Sequence, residues 1–172
     1  PTEIGPAEHV AVGDSLFFEG HYDDAIGEYR RATEQDPTMS AAYAKWARVL
    51  TVRRKTNEAV TLARRAVELD AESAFNLAAL GMALDWNGQA LEAIDRLRKA
   101  TSVAPDYAQA YAFLAEAYGD RGLIIPAREA IAKAMELDPD DPFVRRNNGY
   151  MLELSGDYRG AIAEYEAAVA IN

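Results

Sequence analysis

His9 and His21 are the only imidazoles in the chain, and its densest carboxylates are the runs Asp23-Asp24 and Asp138-Pro139-Asp140-Asp141. Groups of these types bind metals or move protons when several converge at fixed spacing. Here the pattern is missing. The histidines stand twelve residues apart with no carboxylate at metal-ligand spacing, and no H-E-x-x-H, phosphate-cradling glycine loop or G-x-S-x-G run occurs. The run at 138–141 lacks the glycine and closing glutamate of a calcium loop. Cysteine is absent, which removes disulfides, thiolate nucleophiles and thiolate-bound metals. The expectation is therefore no catalytic residue, no metal and no cofactor. Both acidic runs are expected to cap helices and to complement their dipoles, and both histidines to be structural or at the surface.

Composition narrows the class further. The chain of 172 residues carries a net charge of -10, which disfavours phosphate backbones as partners, so nucleic acid is not expected. No uncharged stretch approaches the ~20 apolar residues of a membrane span, so no membrane insertion is expected. Charge is uneven: residues 1–39 hold nine acidic and two basic residues, net -7, whereas residues 40–73 hold four acidic and seven basic, net +3. The positive stretch reads either as a solvated surface between acidic neighbours or as a docking spot for an acidic segment, resting on Lys45 and Arg48. The chain opens on Pro1 without a methionine, so an excised or processed piece of a longer protein is expected and targeting signals are not readable. The residues leave the compartment open; a cytoplasmic setting is favoured.

What must position any functional group is a repeat. Alanine stands at 25, 59, 93, 127 and 161, and again at 32, 66, 100, 134 and 168, each series stepping by 34 residues. Gly13, Ala47, Gly81, Ala115 and Gly149 align as small residues, and Leu16, Leu50, Leu84, Tyr118 and Leu152 as large apolar ones. Within each unit apolar residues recur at three- and four-residue spacing, as in Leu77, Leu80 and Leu84, then Ala93, Ile94, Leu97 and Ala100. Those are the faces of two amphipathic helices. Gly20, Gly88, Gly122 and Gly156 are expected to end the first helix of their units in a left-handed turn, a place that Arg54 takes in unit two. Pro37, Pro105 and Pro139 close three of the units. Asp106 and Asp141 are expected N-caps, with Pro142 at a first helical position. Gly81 and Ala93 are expected to let paired helices approach closely. Pro126 is expected in a first turn, where a missing N–H is harmless.

This pattern resembles the tetratricopeptide repeat: Gly13, Ala25, Tyr29, Ala32 and Pro37 carry its frame in unit one, and Tyr111, Leu114, Tyr118, Ala127, Ala134 and Pro139 in unit four. The resemblance implies an all-α fold, a right-handed α-α superhelix of helix-turn-helix repeats. The expected division is an N-terminal extension at 1–5 and a single domain at 6–172, with repeats 6–39, 40–73, 74–107, 108–141 and 142–172.

In that family the first helices of successive units line a concave groove that grips extended or helical segments of partner proteins. The resemblance thus implies a non-catalytic protein-interaction scaffold whose partner-binding residues are Phe17, Lys45, Arg48, Phe75, Ala78, Met82, Trp86, Phe113, Arg146, Asn147 and Tyr150. Phe75, Met82, Trp86, Phe113 and Tyr150 would be large apolar groups on a face the core does not need. Alanines at 41, 44, 78, 79 and 112 would leave a shallow floor with room for an apolar, extended or helical segment. The opposing reading is that individual rings are core, with Phe75 and Phe143, near helix starts, the most open to it. The family's lysine–asparagine clamp for a chaperone's C-terminal carboxylate is not matched, since Val10 and Asp14 stand in its places. Other readings are a regulatory or substrate-docking module of a larger enzyme and a homo-oligomerisation module.

Two irregularities are legible. Arg145 and Asn148 replace the tyrosine and leucine of unit four, so a buried Asn148 bonded to nearby backbone is expected. No polar end cap follows unit five, so Ile162, Tyr165 and Val169 are expected to be partly uncovered, with self-association through this last helix as a consequence.

Overall fold

The structure, a computed structural model, describes residues 4–170. Residues 1–3 of the extension expected at 1–5, and the last two residues of the fifth unit, lie outside that range. The described residues form ten α-helices: α1 Pro6–Phe18, α2 Tyr22–Gln35, α3 Ser40–Val52, α4 Thr56–Leu69, α5 Ala74–Trp86, α6 Ala90–Val103, α7 Ala108–Asp120, α8 Ile124–Leu137, α9 Pro142–Leu154 and α10 Tyr158–Ala170.

Each helix pair is held by the small-residue columns. The first alanine series is sealed from solvent between the helices, from Ala25 at 0 % exposure to Ala161 at 3 %. Opposite it, a Cβ added to Gly81 would stand 2.4 Å from Leu97 Cγ, so only glycine lets α5 and α6 meet at this distance. The intra-unit turn repeats as well. In every unit the N–H five residues beyond the apolar column returns to its carbonyl: His21 to Leu16, Lys55 to Leu50, Gln89 to Leu84, Leu123 to Tyr118 and Asp157 to Leu152, at 2.8–2.9 Å. That 6→1 bond requires a left-handed residue just before the donor. Four units supply glycine at φ between 68° and 85°, and unit two supplies Arg54 at φ 62°.

Caps follow the expectation in one case and depart from it in another. Asp141 caps α9, its carboxylate accepting from the N–H groups of Phe143 (2.8 Å) and Val144 (3.0 Å), with Pro142 at the first helical position. Asp106 does not cap α7. Tyr107 holds that place without a side-chain bond, because the turn sets the helix start one residue later. Asp36, Asp70 and Asp138 instead close the inter-unit turns through N–H groups two or three residues on. Pro126 lies in the first turn of α8.

Unit five reads differently from its sequence. Asn148 is only half-buried, and the sealed asparagine is its neighbour Asn147, whose Oδ1 accepts from Arg146 at 2.5 Å. Arg145 points outward to Asp140 and Glu164. Ile162 and Val169 are exposed at 56 % and 73 %, while Tyr165 is half-buried.

The stacking explains the curvature. Inner helices pack on their successors, α3 on α5, α5 on α7 and α7 on α9, whereas the outer helices α4 and α6 reach each other through the long side chains of Arg64 and Glu92. A layer packed closer on one side bends toward it, so α1, α3, α5, α7 and α9 line the concave face.

Candidate interaction surface

The concave face is assembled from equivalent positions of the inner helices, and its middle is filled by the chain itself. Phe17 from α1 stacks on Phe143 from α9, with ring centroids 6.3 Å apart and planes 5° from parallel. Phe113 meets Phe143 edge-on at 5.7 Å. The Arg48 guanidinium lies over Phe143 (4.7 Å), Phe75 (5.2 Å) and Phe113 (5.9 Å), and donates to Gln109 Oε1 at 3.0 Å. Lys45 donates to both oxygens of Asp14, which also accepts from the Tyr29 hydroxyl at 2.8 Å. Burial and the Asp14 hydrogen bond push the Tyr29 hydroxyl far above its ordinary pKa, keeping it a donor.

Several sequence expectations are corrected here. Lys45 and Arg48 are engaged by Asp14, Gln109 and three rings, so neither is a free docking spot for an acidic segment. Ala44, Ala78, Ala79 and Ala112 do leave room beside them, but the chain's own side chains close it, and all four are buried. Phe113 is 1 % exposed and Met82 2 %, so these two are not rings or chains displayed to solvent. Asn147 is likewise sealed, while Phe75 and Tyr150 are half-buried.

Open space remains to one side of the Phe17–Phe143 stack. A cavity of ≈ 290 Å³ lies where α1, α3 and α5 end, so that Phe18, Val52 and Trp86, each 34 residues from the next, form its rim. Met82 and Phe17 stand behind them, Phe143 and Arg146 face them from the start of α9, and Tyr22, Tyr165 and Val169 complete the wall. The lining is mostly apolar, and Phe18 is 57 % exposed. Beyond the stack, a smaller cavity of ≈ 100 Å³ is lined by Asp14, Lys45, Arg48 and Gln109. Of the eleven expected residues, Phe17, Met82, Trp86 and Arg146 thus meet at the larger cavity, and Lys45 and Arg48 at the smaller. Tyr22, Tyr165 and Val169 were not expected. Tyr22 adjoins Phe17 within the first unit, and the closure of the superhelix brings Tyr165 and Val169 around from α10.

Trp86 and Arg146, which line the cavity, are held from behind by polar groups that do not line it. Trp86 Nε1 donates to Glu116 Oε1 at 3.1 Å, and Arg146 donates to the other oxygen of Glu116. The Trp86 ring carries Arg54 at 4.5 Å and Arg146 at 5.3 Å. Tyr150 donates to Asp120. Asp85 is buried next to Trp86, and burial, with Asp120 and Glu116 nearby, pushes its carboxyl up to about 8 against the pull of Arg146. Burial also raises Glu116, again opposed by Arg146. His9, on α1, bonds to Glu28 at 2.6 Å, and no group of three or more metal-ligating side chains occurs among the described residues. No described helix is long and apolar enough to cross a membrane.

These features define an all-α helical repeat protein built of five stacked helix pairs. Tetratricopeptide repeat models match residues 11–77 and 108–141, and the chain belongs to the tetratricopeptide repeat family. No curated protein matches the sequence. Among solved structures, a thermophilic tetratricopeptide protein of Thermus thermophilus is 21% identical with a TM-score of 0.83, the match covering 96% of this chain and 91% of that one. MamA is 26% identical at TM-score 0.61 over 93% and 94% of the two chains. YrrB, described as a TPR protein with an unusual peptide-binding site, is 20% identical at TM-score 0.58 over 95% and 84%. The fold is that of a protein–protein interaction scaffold.

Proposed function

We propose that residues 6–172 act as one non-catalytic interaction domain that binds an apolar segment of a partner protein at the cavity between the first and fifth units. The observation that carries this reading is the cavity itself, an apolar hollow with Phe18, Val52 and Trp86 at its rim. Its volume suits one or two large side chains and is too small for a whole helix. A partner helix or extended strand therefore lies across the mouth and inserts its anchors. Each anchor buried there contributes ~1.5–3 kcal/mol before ordering costs.

Peptides selected from a random displayed library on the native chain test the reading. Those selected are expected to carry a large apolar residue, to bind Leu91→Glu equally well, and to lose binding to Phe18→Glu. Both positions are exposed, so neither substitution threatens folding, but only Phe18 lines the cavity. Undiminished binding to Phe18→Glu contradicts the proposal.

A second reading, self-association through the last helix, is favoured by the exposure of Ile162 and Val169. Unit one is its opposite. Glu8 is exposed there, whereas Ala42, Asn76, Ala110 and Val144, its equivalents in the other units, are sealed. Copies would accordingly meet through their C-terminal ends and not head to tail. Sedimentation showing that Val169→Glu abolishes a dimer supports it; a monomer at all concentrations rules it out.

A further inference from the structure

The turn between α7 and α8 differs from its four equivalents. Leu123, Ile124 and Ile125 are all exposed there, Ile125 at 74 %, whereas the same three places of the other units hold one large aliphatic residue between them, Leu91. A second exchange accompanies the first. Pro126 stands where Asp24, Glu58 and Glu92 stand in the first three units, and Arg128 takes a place that is isoleucine or valine in every other unit. The residues 121–128 therefore hold two cations and no carboxylate, in a chain whose net charge is -10. Both cations, Arg121 and Arg128, are exposed, and neither makes an ion pair among the described residues. The carboxylates beside them in sequence do not supply one. Asp120 accepts from Tyr150, and Glu129 follows Arg128 directly in α8, where adjacent residues do not face each other. The turn is also fixed in shape, because the Leu123 N–H is tied to the Tyr118 carbonyl at 2.9 Å.

We propose that this turn is a second docking surface, for a partner segment that presents large apolar side chains with an aspartate or glutamate on each side. None of its residues lines the cavity, and the proposal is independent of the cavity reading. Charge complementarity selects the occupant. Three aliphatic chains exposed together leave water only against an apolar partner, and two arginines without carboxylates are satisfied by a partner that brings them. The chain's overall negative charge does not forbid this, since interactions between exposed charges beyond about 8 Å are largely screened at physiological salt. An anionic bilayer is the weaker occupant, because attraction to it rests on clusters of about four to eight cations and this turn has two. The turn is ordered before any partner arrives, so docking costs little in loop ordering.

Two capped tetrapeptides of equal shape, Glu-Leu-Leu-Glu and Gln-Leu-Leu-Gln, make the test, followed by the methyl NMR signals of Ile124 and Ile125. The acidic peptide is expected to shift both signals in the native chain and equally in Phe18→Glu, which separates this surface from the cavity. It is expected to bind about fivefold more tightly than its neutral twin, the size of two exposed ion pairs. Arg121→Gln combined with Arg128→Gln is expected to erase that preference, and Ile125→Ser to weaken both peptides about tenfold. All three positions are exposed, so the substitutions spare the fold, and thermal unfolding checks this. Unmoved Ile124 and Ile125 signals at millimolar peptide overturn the proposal, as does equal binding of the two peptides. A preference that survives the loss of both arginines overturns it too. Binding of phosphatidylserine vesicles at Ile124 and Ile125, with the peptides inert, assigns the surface to a membrane and likewise overturns it.

Discussion

The ring of Phe17 lies parallel to that of Phe143, so the first and fifth units touch across the concave face. In an open array each unit meets only its neighbours; this contact closes the array on itself. A double-mutant cycle of Phe17→Ala and Phe143→Ala is expected to give a coupling of about 0.5–1.5 kcal/mol in denaturant unfolding. Either single variant is expected to raise the radius of gyration in small-angle scattering. Additive energies and an unchanged radius contradict the closure.

Gly81 and Gly27 are both helical glycines, and they should respond oppositely to alanine. A Cβ at Gly81 runs into Leu97, whereas one at Gly27 meets nothing within 4 Å. Gly81→Ala is expected to destabilise by about 1–3 kcal/mol through overpacking, and Gly27→Ala to stabilise by about 0.5–1 kcal/mol through helix propensity. Urea midpoints of the two variants decide it.

Arg54 holds the left-handed turn that glycine holds elsewhere, at φ 62°, with its guanidinium over Trp86. Relief of the backbone strain by Arg54→Gly is worth about 1 kcal/mol, and the lost cation–π contact about 0.5–1 kcal/mol. The substitution is therefore expected to be near neutral in the native chain. In a Trp86→Leu background only the relief remains, and Arg54→Gly should stabilise. Equal effects in the two backgrounds count against this balance.

Asp85 ties stability to pH. Its carboxyl titrates at about 8 when folded, above its ordinary value of 3.8. Between those values the folded chain binds one more proton than the unfolded chain, so this group's contribution to stability falls as pH rises and levels off above about 8. Asp85→Asn is expected to remove the fall, its advantage over the native chain growing from about pH 5 to about pH 8. Parallel stability curves for the two proteins, measured by urea unfolding across that range, contradict the assignment.

The helices and their pairing were legible because they are local and periodic. The alanine columns, the glycine turns and the Asp141 cap each depend on residues a few positions apart. Asp106 misled because a cap is decided by where the turn lets the helix begin, which moved that role to Tyr107. The inner surface was half legible. Its residues were assignable from the repeat register, and Phe17, Met82, Trp86 and Arg146 do meet at one cavity. That Arg48, Phe75 and Phe113 would fill the space left by Ala44, Ala78 and Ala112 was not, because it depends on how far the array curls. The same curl brings Tyr22 and Tyr165 to a common wall, and no residue spacing records it.

The most direct test of the cavity reading uses the four methionines as reporters. Met82 lines the cavity; Met39 and Met135, away from its wall, serve as controls. Methyl-labelled protein titrated with a selected apolar peptide is expected to show the Met82 signal shifting while Met39 and Met135 stay in place. A saturable shift at Met39 or Met135 with Met82 unmoved would place the partner elsewhere on the molecule and contradict the account.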